Sequence, residues 1–261
     1  SLSPTINWTD LAQQEFALPL IEEQQRLTAA LQSVQICNDR MHDCVSASAV
    51  LVESYLAHVI AALVNSHSTV PLGTLADVRY GLTVNQDRAR TQTTAPYLRV
   101  ANVQRGCLDL SEVKAIGVLP GDEEHVLRTG DVLIVEGHAD PEQIGRAAIW
   151  NDEVPGAMHQ NHLIRARCGG RLLAPYLHAV VNSLHGRQYF RMRAKSSSGL
   201  NTINSGVVKE LPIPVPSAAV QAEVAERSSL MSLAHNEAVS RRMQLRSLAS
   251  QVLCSVGSEL P

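Results

Sequence analysis

Arg187-Gln-Tyr-Phe-Arg-Met-Arg-Ala-Lys195 sets four bases among two aromatic rings and runs directly into Ser196-Ser197-Ser198-Gly199. Cations at that spacing displace counterions from a phosphate backbone, and small hydroxyls donate to phosphate oxygens. Arg191, Arg193, Lys195 and Ser197 are thus candidate phosphate contacts. The same bases could equally be a solvated helix end that complements the helix dipole. A second polar surface is Arg79, Gly81-Leu82-Thr83 and the stretch Asn85 to Thr94, with Arg88, Arg90 and Gln92. Arg, Asn and Gln are the side chains that make bidentate contacts to guanine and adenine edges. Loops of this composition also cover ordinary soluble domains, so the signal gains weight only from the architecture around it.

Motifs for catalysis are missing. The chain has no Gly-Lys-Ser/Thr phosphate loop, no Gly-x-Gly-x-x-Gly fingerprint and no Gly-x-Ser-x-Gly elbow. It also lacks the Asn-Pro-Pro-aromatic motif with which an amino-methyltransferase holds a flipped base, and a nuclease-type strand of carboxylates and lysine. Glu136, His138 and Asp140 alternate, and His159 and His162 frame Gln160-Asn161, but Gly137 follows what reads as a strand end, and neither group supplies the closed set of three or four ligands that a zinc site requires. No metal and no cofactor is expected, and the chain reads as a non-enzyme. The five cysteines contain no Cys-x-x-Cys pair and suit reduced thiols in a cytoplasmic setting.

Charge is unevenly spread. The net charge is −3, yet no acid lies between Glu153 and Glu210, where eight bases fall. One end of the middle region is therefore expected to be electropositive. Apolar runs such as Val59 to Val64 are shorter than a bilayer span requires, and no signal peptide is evident. Ser1 is not an initiator Met, so the chain reads as a processed form or a portion of a longer one.

The elements that must position these residues show in an internal echo. Thr5-Ile6-Asn7 recurs as Thr202-Ile203-Asn204, and Pro19 and Gln24 recur as Pro216 and Gln221, all at an offset of 197 residues. After Pro19 one apolar seam runs Leu20, Leu27, Val34, Met41, Ser48, Tyr55, Ala62 and another Leu31, Asn38, Val45, Val52, Val59, a heptad repeat. The offset carries Leu27, Val34, Met41, Ser48 and Tyr55 onto Val224, Met231, Ala238, Leu245 and Val252. Two helices of about 65 Å are predicted at 1.5 Å per residue, each beginning just after a proline. Their cheapest partner is each other, in antiparallel pairing, with Asn38, Arg227 and Arg241 on or beside the seam. Two separate helices on a globular core would be the other arrangement. The insert reads as strands at 97–103, 131–135 and 162–167, a helix over 172–184, and an exposed polar loop at 194–201. The fold class expected is α+β, a mixed strand and helix domain at the tip of a long two-helix coiled coil. Boundaries fall at 1–18, the tail of a preceding repeat; 19–65; 66–216; and 217–261.

These residues resemble the DNA-specificity subunits of type I restriction-modification systems, over nearly the whole chain. Pro71-Leu-Gly-Thr-Leu75 with Val78 and Gly81 is similar to the opening of a target-recognition domain. Tyr97-Leu-Arg-Val-Ala-Asn-Val103 with Gly106, Leu127-Arg-Thr-Gly-Asp-Val-Leu-Ile134, Ile144-Gly-Arg-Ala147 and Gln160-Asn-His-Leu163 resemble its interior. Leu200-Asn-Thr-Ile-Asn204 and Leu211-Pro-Ile-Pro-Val-Pro216 resemble its close. The family's Glu-Gln pair after the prolines is Glu23-Gln24 in the first copy but Val220-Gln221 in the second. The resemblance implies a non-catalytic subunit that binds double-stranded DNA and reads one half of a split site. It implies helices that space two recognition domains and dock methyltransferase subunits, with the restriction subunit a further partner. A second recognition domain, in the same polypeptide or in another copy, is implied too, and no membrane is. On that reading Arg191, Arg193, Lys195 and Ser197 grip the backbone. Base choice falls to Arg79, Thr83, Arg88, Arg90, Gln92, Arg105, His138 and Gln143. A coiled-coil assembly scaffold without DNA binding is the alternative.

Overall fold

Proline lacks the N–H that a helix start leaves unused, and both long helices of the computed structural model begin two residues past one: α2 (Ile21–Ser66) after Pro19 and α7 (Ala218–Ser258) after Pro216. The structure describes residues 7–13, 19–197 and 199–258. Most of the expected 1–18 tail and Ser198 therefore lie outside the described residues. Asn7 remains within them and repeats the behaviour of its counterpart. It accepts from Thr9 N–H (3.1 Å) ahead of the short helix α1 (Trp8–Leu11). Asn204 accepts from Val207 N–H (2.9 Å) at the start of α6 (Ser205–Lys209).

Contacts divide the chain into two units, one holding the residues up to Ser48 with those from Ala234 onward, the other Ala49–Leu233. In the first unit burial follows the heptads. Leu27, Val34, Asn38, Met41, Val45 and Ser48 are half-buried along α2, and His235, Ala238, Arg242 and Leu245 along α7. Ser48 Oγ lies 2.9 Å from His235 Nδ1. Arg242 takes the seam position, whereas Arg227 and Arg241 are exposed and pair with Glu223 and Glu237 one turn away. Helix α2 corrects one expectation. Its short apolar runs are separated by few charged residues, so one 18-residue stretch averages a hydropathy of 1.8, and by length and composition alone the helix could cross a bilayer.

The second unit is built on a four-stranded antiparallel sheet in the order β2 (Ala76–Tyr80), β9 (Leu163–Cys168), β5 (Asp131–Val135), β7 (Ala147–Trp150). Alternation sends Val78, Val132, Ile134, Ile164 and Ala166 to one face. There they meet α4 (Ala174–Asn182), α5 (Leu184–Arg193), Leu56, Ile60 and Leu63 of α2, and Val224 of α7. Leu133, Val135, Leu163 and Trp150 fill the other face. β5 is covered on both sides, which is why it reads as an unbroken apolar run. A three-stranded sheet, β4 (Lys114–Gly117), β3 (Thr94–Leu98), β8 (Met158–His159), adds a cluster of Tyr97, Ile116, Met158 and Leu82. β1 (Thr69–Pro71) pairs with β12 (Pro212–Pro214), bringing the two ends of the inserted domain together.

Three expectations change. The strand expected at 97–103 ends at Leu98, because Asn102 Oδ1 accepts from Arg99 N–H (2.8 Å) and turns the chain into a 3-10 helix. The helix expected over 172–184 breaks at Ser183, whose hydroxyl caps α5. The polar loop at 194–201 is a hairpin of β10 (Lys195–Ser197) and β11 (Leu200–Thr202), and β11 pairs with β6 (Gly137–His138).

Candidate nucleic-acid interface

Leu82 sits where the two sheets meet. Its N–H donates to the His159 carbonyl (2.8 Å), and its carbonyl accepts from Asn161 N–H (2.9 Å) and from the Tyr97 hydroxyl (2.6 Å). Gly81 is needed for this approach, since a Cβ there would overlap the His159 carbonyl. From this point the chain leaves the core as an outward segment, Thr83 to Thr93, containing the short helix α3 (Gln86–Arg90) capped by Asn85.

Backbone hydrogen bonds continue along one edge of the domain. Glu136 N–H donates to His162 O (3.0 Å), Ile203 N–H to Glu136 O (2.9 Å), and His138 pairs with Asn201. The hairpin carrying Lys195 and Ser197 is thereby joined through β6 to the 159–162 turn, and through that turn to Leu82. Thr83, His138, Lys195 and Ser197 are brought to this connected edge. Asn161, His162 and Asn201 lie on it too and were not among the expected contacts. The Gln160-Asn161-His162 motif was visible in the sequence, but nothing there showed that it faces β6.

Internal bonds sort the expected residues. Arg88 is consumed by Asp122 and by the Thr83 and Gly117 carbonyls. Arg79 pairs with Asp77 (3.0 Å) and Glu124 (2.6 Å). Arg105 donates to the Glu142 carbonyl (2.5 Å) and the Asn182 side chain (3.5 Å); burial, with Arg187 and Arg146 nearby, brings its pKa down to about 10. Arg191 pairs with the Glu142 carboxylate (2.8 Å), which Arg187 also holds (3.1 Å); these bonds lower the Glu142 pKa. Arg193 stacks over Tyr189, 3.9 Å from the ring centroid, and Gln143 accepts from Arg146 (3.4 Å). His138 Nδ1 accepts from Asp140 N–H (3.0 Å). Thr83, Arg90, Gln92 and Lys195 are exposed, and their side chains have no partner among the described residues. Internally paired arginines position the surface, while these four can bind something else.

The architecture is thus an α+β domain inserted in the sequence between two long helices, with one polar edge on which the side chains of Thr83 and Lys195 have no partner among the described residues. Proteins similar to this chain share that fold. No protein-family model matches it. A type I restriction enzyme specificity subunit, StySPI, of Salmonella potsdam is 28% identical over 189 residues, covering 69% of this chain and 40% of the relative. A putative type I specificity subunit, MjaX, of Methanocaldococcus jannaschii is 23% identical over 152 residues, covering 57% of this chain and 35% of the relative. Among solved structures, a chain from work on complex assembly and conformational transition of the type I system aligns with a TM-score of 0.61 at 17% identity, over 90% of this chain and 59% of that one. The type I S subunit of M. genitalium gives 0.58 at 13% identity, over 90% and 60%. The HsdS subunit of Thermoanaerobacter tengcongensis gives 0.53 at 16% identity, over 96% and 62%. The resemblance read from the motifs is therefore found again, in sequence and in fold, with specificity subunits of type I restriction systems. This chain spans less than half the length of the two curated relatives.

Proposed function

We propose that this chain is a non-catalytic DNA-recognition subunit of a cytoplasmic type I restriction-modification complex, in which the 66–216 domain reads one half of a bipartite site. The observation that carries the reading is a set of exposed side chains without a partner among the described residues, Thr83 and Lys195 at the polar edge and Arg90 and Gln92 on the segment that leaves it, on a domain whose fold and sequence match specificity subunits. Lys195, with Ser197 on the same strand, contacts phosphate. Arg90 and Gln92 meet base edges. Arg191, held by Glu142, and Arg193, stacked on Tyr189, add positive charge beside them.

The helices 19–65 and 217–261 pair antiparallel, carry the domain at one tip, and dock methyltransferase subunits, with the restriction subunit joining that assembly. Leu230, Leu233, Met243 and Leu248, all more than half exposed on α7, support such docking. A second recognition domain supplies the other half-site.

Binding of duplex DNA by the chain assembled with methyltransferase subunits tests the reading. Affinity should fall steeply with salt. Lys195→Ala should weaken binding to all sequences and lower the salt slope by about 1, while Arg90→Ala relaxes preference at one position. Absence of salt-dependent association would leave the assembly scaffold as the function.

A further inference from the structure

The Thr83 to Thr93 segment is held far more firmly than its own packing explains. None of its residues joins an apolar cluster, and Val84 is 65% exposed. Its grip on the domain is polar and converges on Arg88. That guanidinium donates to the Thr83 carbonyl (3.1 Å), the Gly117 carbonyl (3.0 Å) and both carboxylate oxygens of Asp122, one of them at 2.9 Å. Asp122 is fixed in turn by the Leu119 N–H (2.7 Å). Arg88 and Asp122 are only 10% and 8% exposed. Further along, the Thr91 hydroxyl donates to Val118 O (3.3 Å) and Val118 N–H to Thr93 O (2.9 Å). The segment lies so close to β4 that a Cβ on Gly117 would overlap the Arg88 carbonyl.

Burying two charges costs more than burying apolar groups of the same size, so such a pair is weak support for stability and better suited to fixing one conformation. Here the conformation fixed is that of a segment which contributes nothing to the core. Apart from Val84 and Ala89, what it presents outward is polar, and this includes Arg90 and Gln92. A recognition loop ordered in advance avoids the entropy of ordering on contact, and it sets side chains in the register that bidentate base contacts require.

We propose that the Arg88–Asp122 ion pair is a positioning device for base readout: it locks the 83–93 segment so that Arg90 and Gln92 meet base edges in fixed register, and Arg88 itself touches no DNA. The proposal rests on the reading of this edge as a DNA interface. It separates two roles that side-chain type leaves merged, since Arg88 and Arg90 look alike in the sequence.

The test is selection from a randomised duplex pool by the full chain assembled with methyltransferase subunits, comparing Arg88→Met, Asp122→Asn, Arg90→Ala and Gln92→Ala with the parent. Preference at the positions that Arg90→Ala and Gln92→Ala disturb should fall about tenfold in Asp122→Asn and in Arg88→Met. Non-specific affinity and salt slope should stay at the parent value in Arg88→Met, because no phosphate contact is lost. A slope lower by about 1 in Arg88→Met would show that this arginine grips phosphate directly, which overturns the proposal. Preference disturbed by Arg90→Ala and Gln92→Ala but intact in Asp122→Asn and Arg88→Met also overturns it, and leaves the interface standing. If Arg90→Ala and Gln92→Ala change nothing, the interface reading of this segment falls and the positioning role with it. Should Arg88→Met fail to fold, Asp122→Asn carries the comparison alone.

Discussion

Gln24 and Gln221 each stand five residues beyond a proline, and each donates through Nε2 to that proline's carbonyl, at 2.7 Å and 3.0 Å. The backbone bond at the helix start repeats as well, Gln24 N–H to Leu20 O and Gln221 N–H to Ser217 O, both 3.0 Å. There the likeness ends. Gln221 is 2% exposed, also donates to the Arg171 carbonyl (3.1 Å), and accepts from Leu173 N–H (3.0 Å). The Gln24 side chain has no further partner among the described residues, and its neighbours Leu20 and Ile21 are 81% and 66% exposed. The bond to proline is thus a device for starting the helix. The grip on a domain is a second use of the same side chain, realised at the second proline.

The coarsest way to break this comparison is to take the domain away from beneath Gln221 with acid. Burial brings His159 down to about 3, with Arg165 adding to the effect, and burial brings His178 down to about 4. Both lie in the domain unit. Their folded pKa values stand below the ordinary 6.5, so the unfolded chain binds protons that the folded chain refuses. Stability from this source is complete above about pH 6.5 and is lost as pH falls through about 4 and then 3. Urea midpoints of the domain should drop between pH 7 and pH 4.5, and the drop should shrink in His159→Met. A midpoint flat over that range would contradict the buried neutral histidines.

At neutral pH the sharper instrument is paired substitution. Gln221→Ala strands the Leu173 N–H and the Arg171 and Pro216 carbonyls, and should cost about 3 kcal/mol of domain stability. Gln24→Ala should cost about 1 kcal/mol or less, since it removes one partly buried bond. Equal losses in urea denaturation would mean that the two glutamines do the same work. Three residues further along, Val224 is 3% exposed and Leu27 half-buried. Val224→Ala should cost about 2 kcal/mol and Leu27→Ala about 1 kcal/mol, although the leucine loses more carbon.

This contrast marks what the sequence could show. The offset of 197 located both prolines and both glutamines, and the heptads located the half-buried seams, because a helix start and a helix face are local patterns. Arg241 was read as on or beside the seam, whereas its neighbour Arg242 takes the seam position, because two adjacent identical side chains give the pattern nothing to choose between. At the polar edge the types were legible and the roles were not. Arg79, Arg88, Arg105 and Arg191 were read as contacts, yet each is held by an acid or a carbonyl brought from 34 to 49 residues away. Pairing over such separations is decided by strand register, which the residues themselves do not announce. The hairpin at 195–202 was hidden for the same reason, since Ser-rich strands carry no apolar alternation to reveal them.

The smallest expected effect concerns the position just before each glutamine, where an acid in the first copy is a valine in the second. Glu23 is about half exposed and reaches Arg26 at 3.4 Å, a surface pair on a free helix face. Val220, its counterpart, packs partly buried against the domain core. Exchanging them separates local from tertiary causes. Glu23→Val should change stability by about 0.5 kcal/mol or less, because an exposed i,i+3 pair contributes little once salt and side-chain entropy are counted. Val220→Glu sets a carboxylate against Leu-rich core on a helix whose first turn holds no acid, and should cost about 1 kcal/mol, offset in part by the helix dipole. The measured quantity is the difference between the two exchanges in urea midpoint. If Glu23→Val proves as costly as Val220→Glu, the acid beside Gln24 has a partner that the exposed helix face does not reveal, and the first proline start is more than a way to begin a helix.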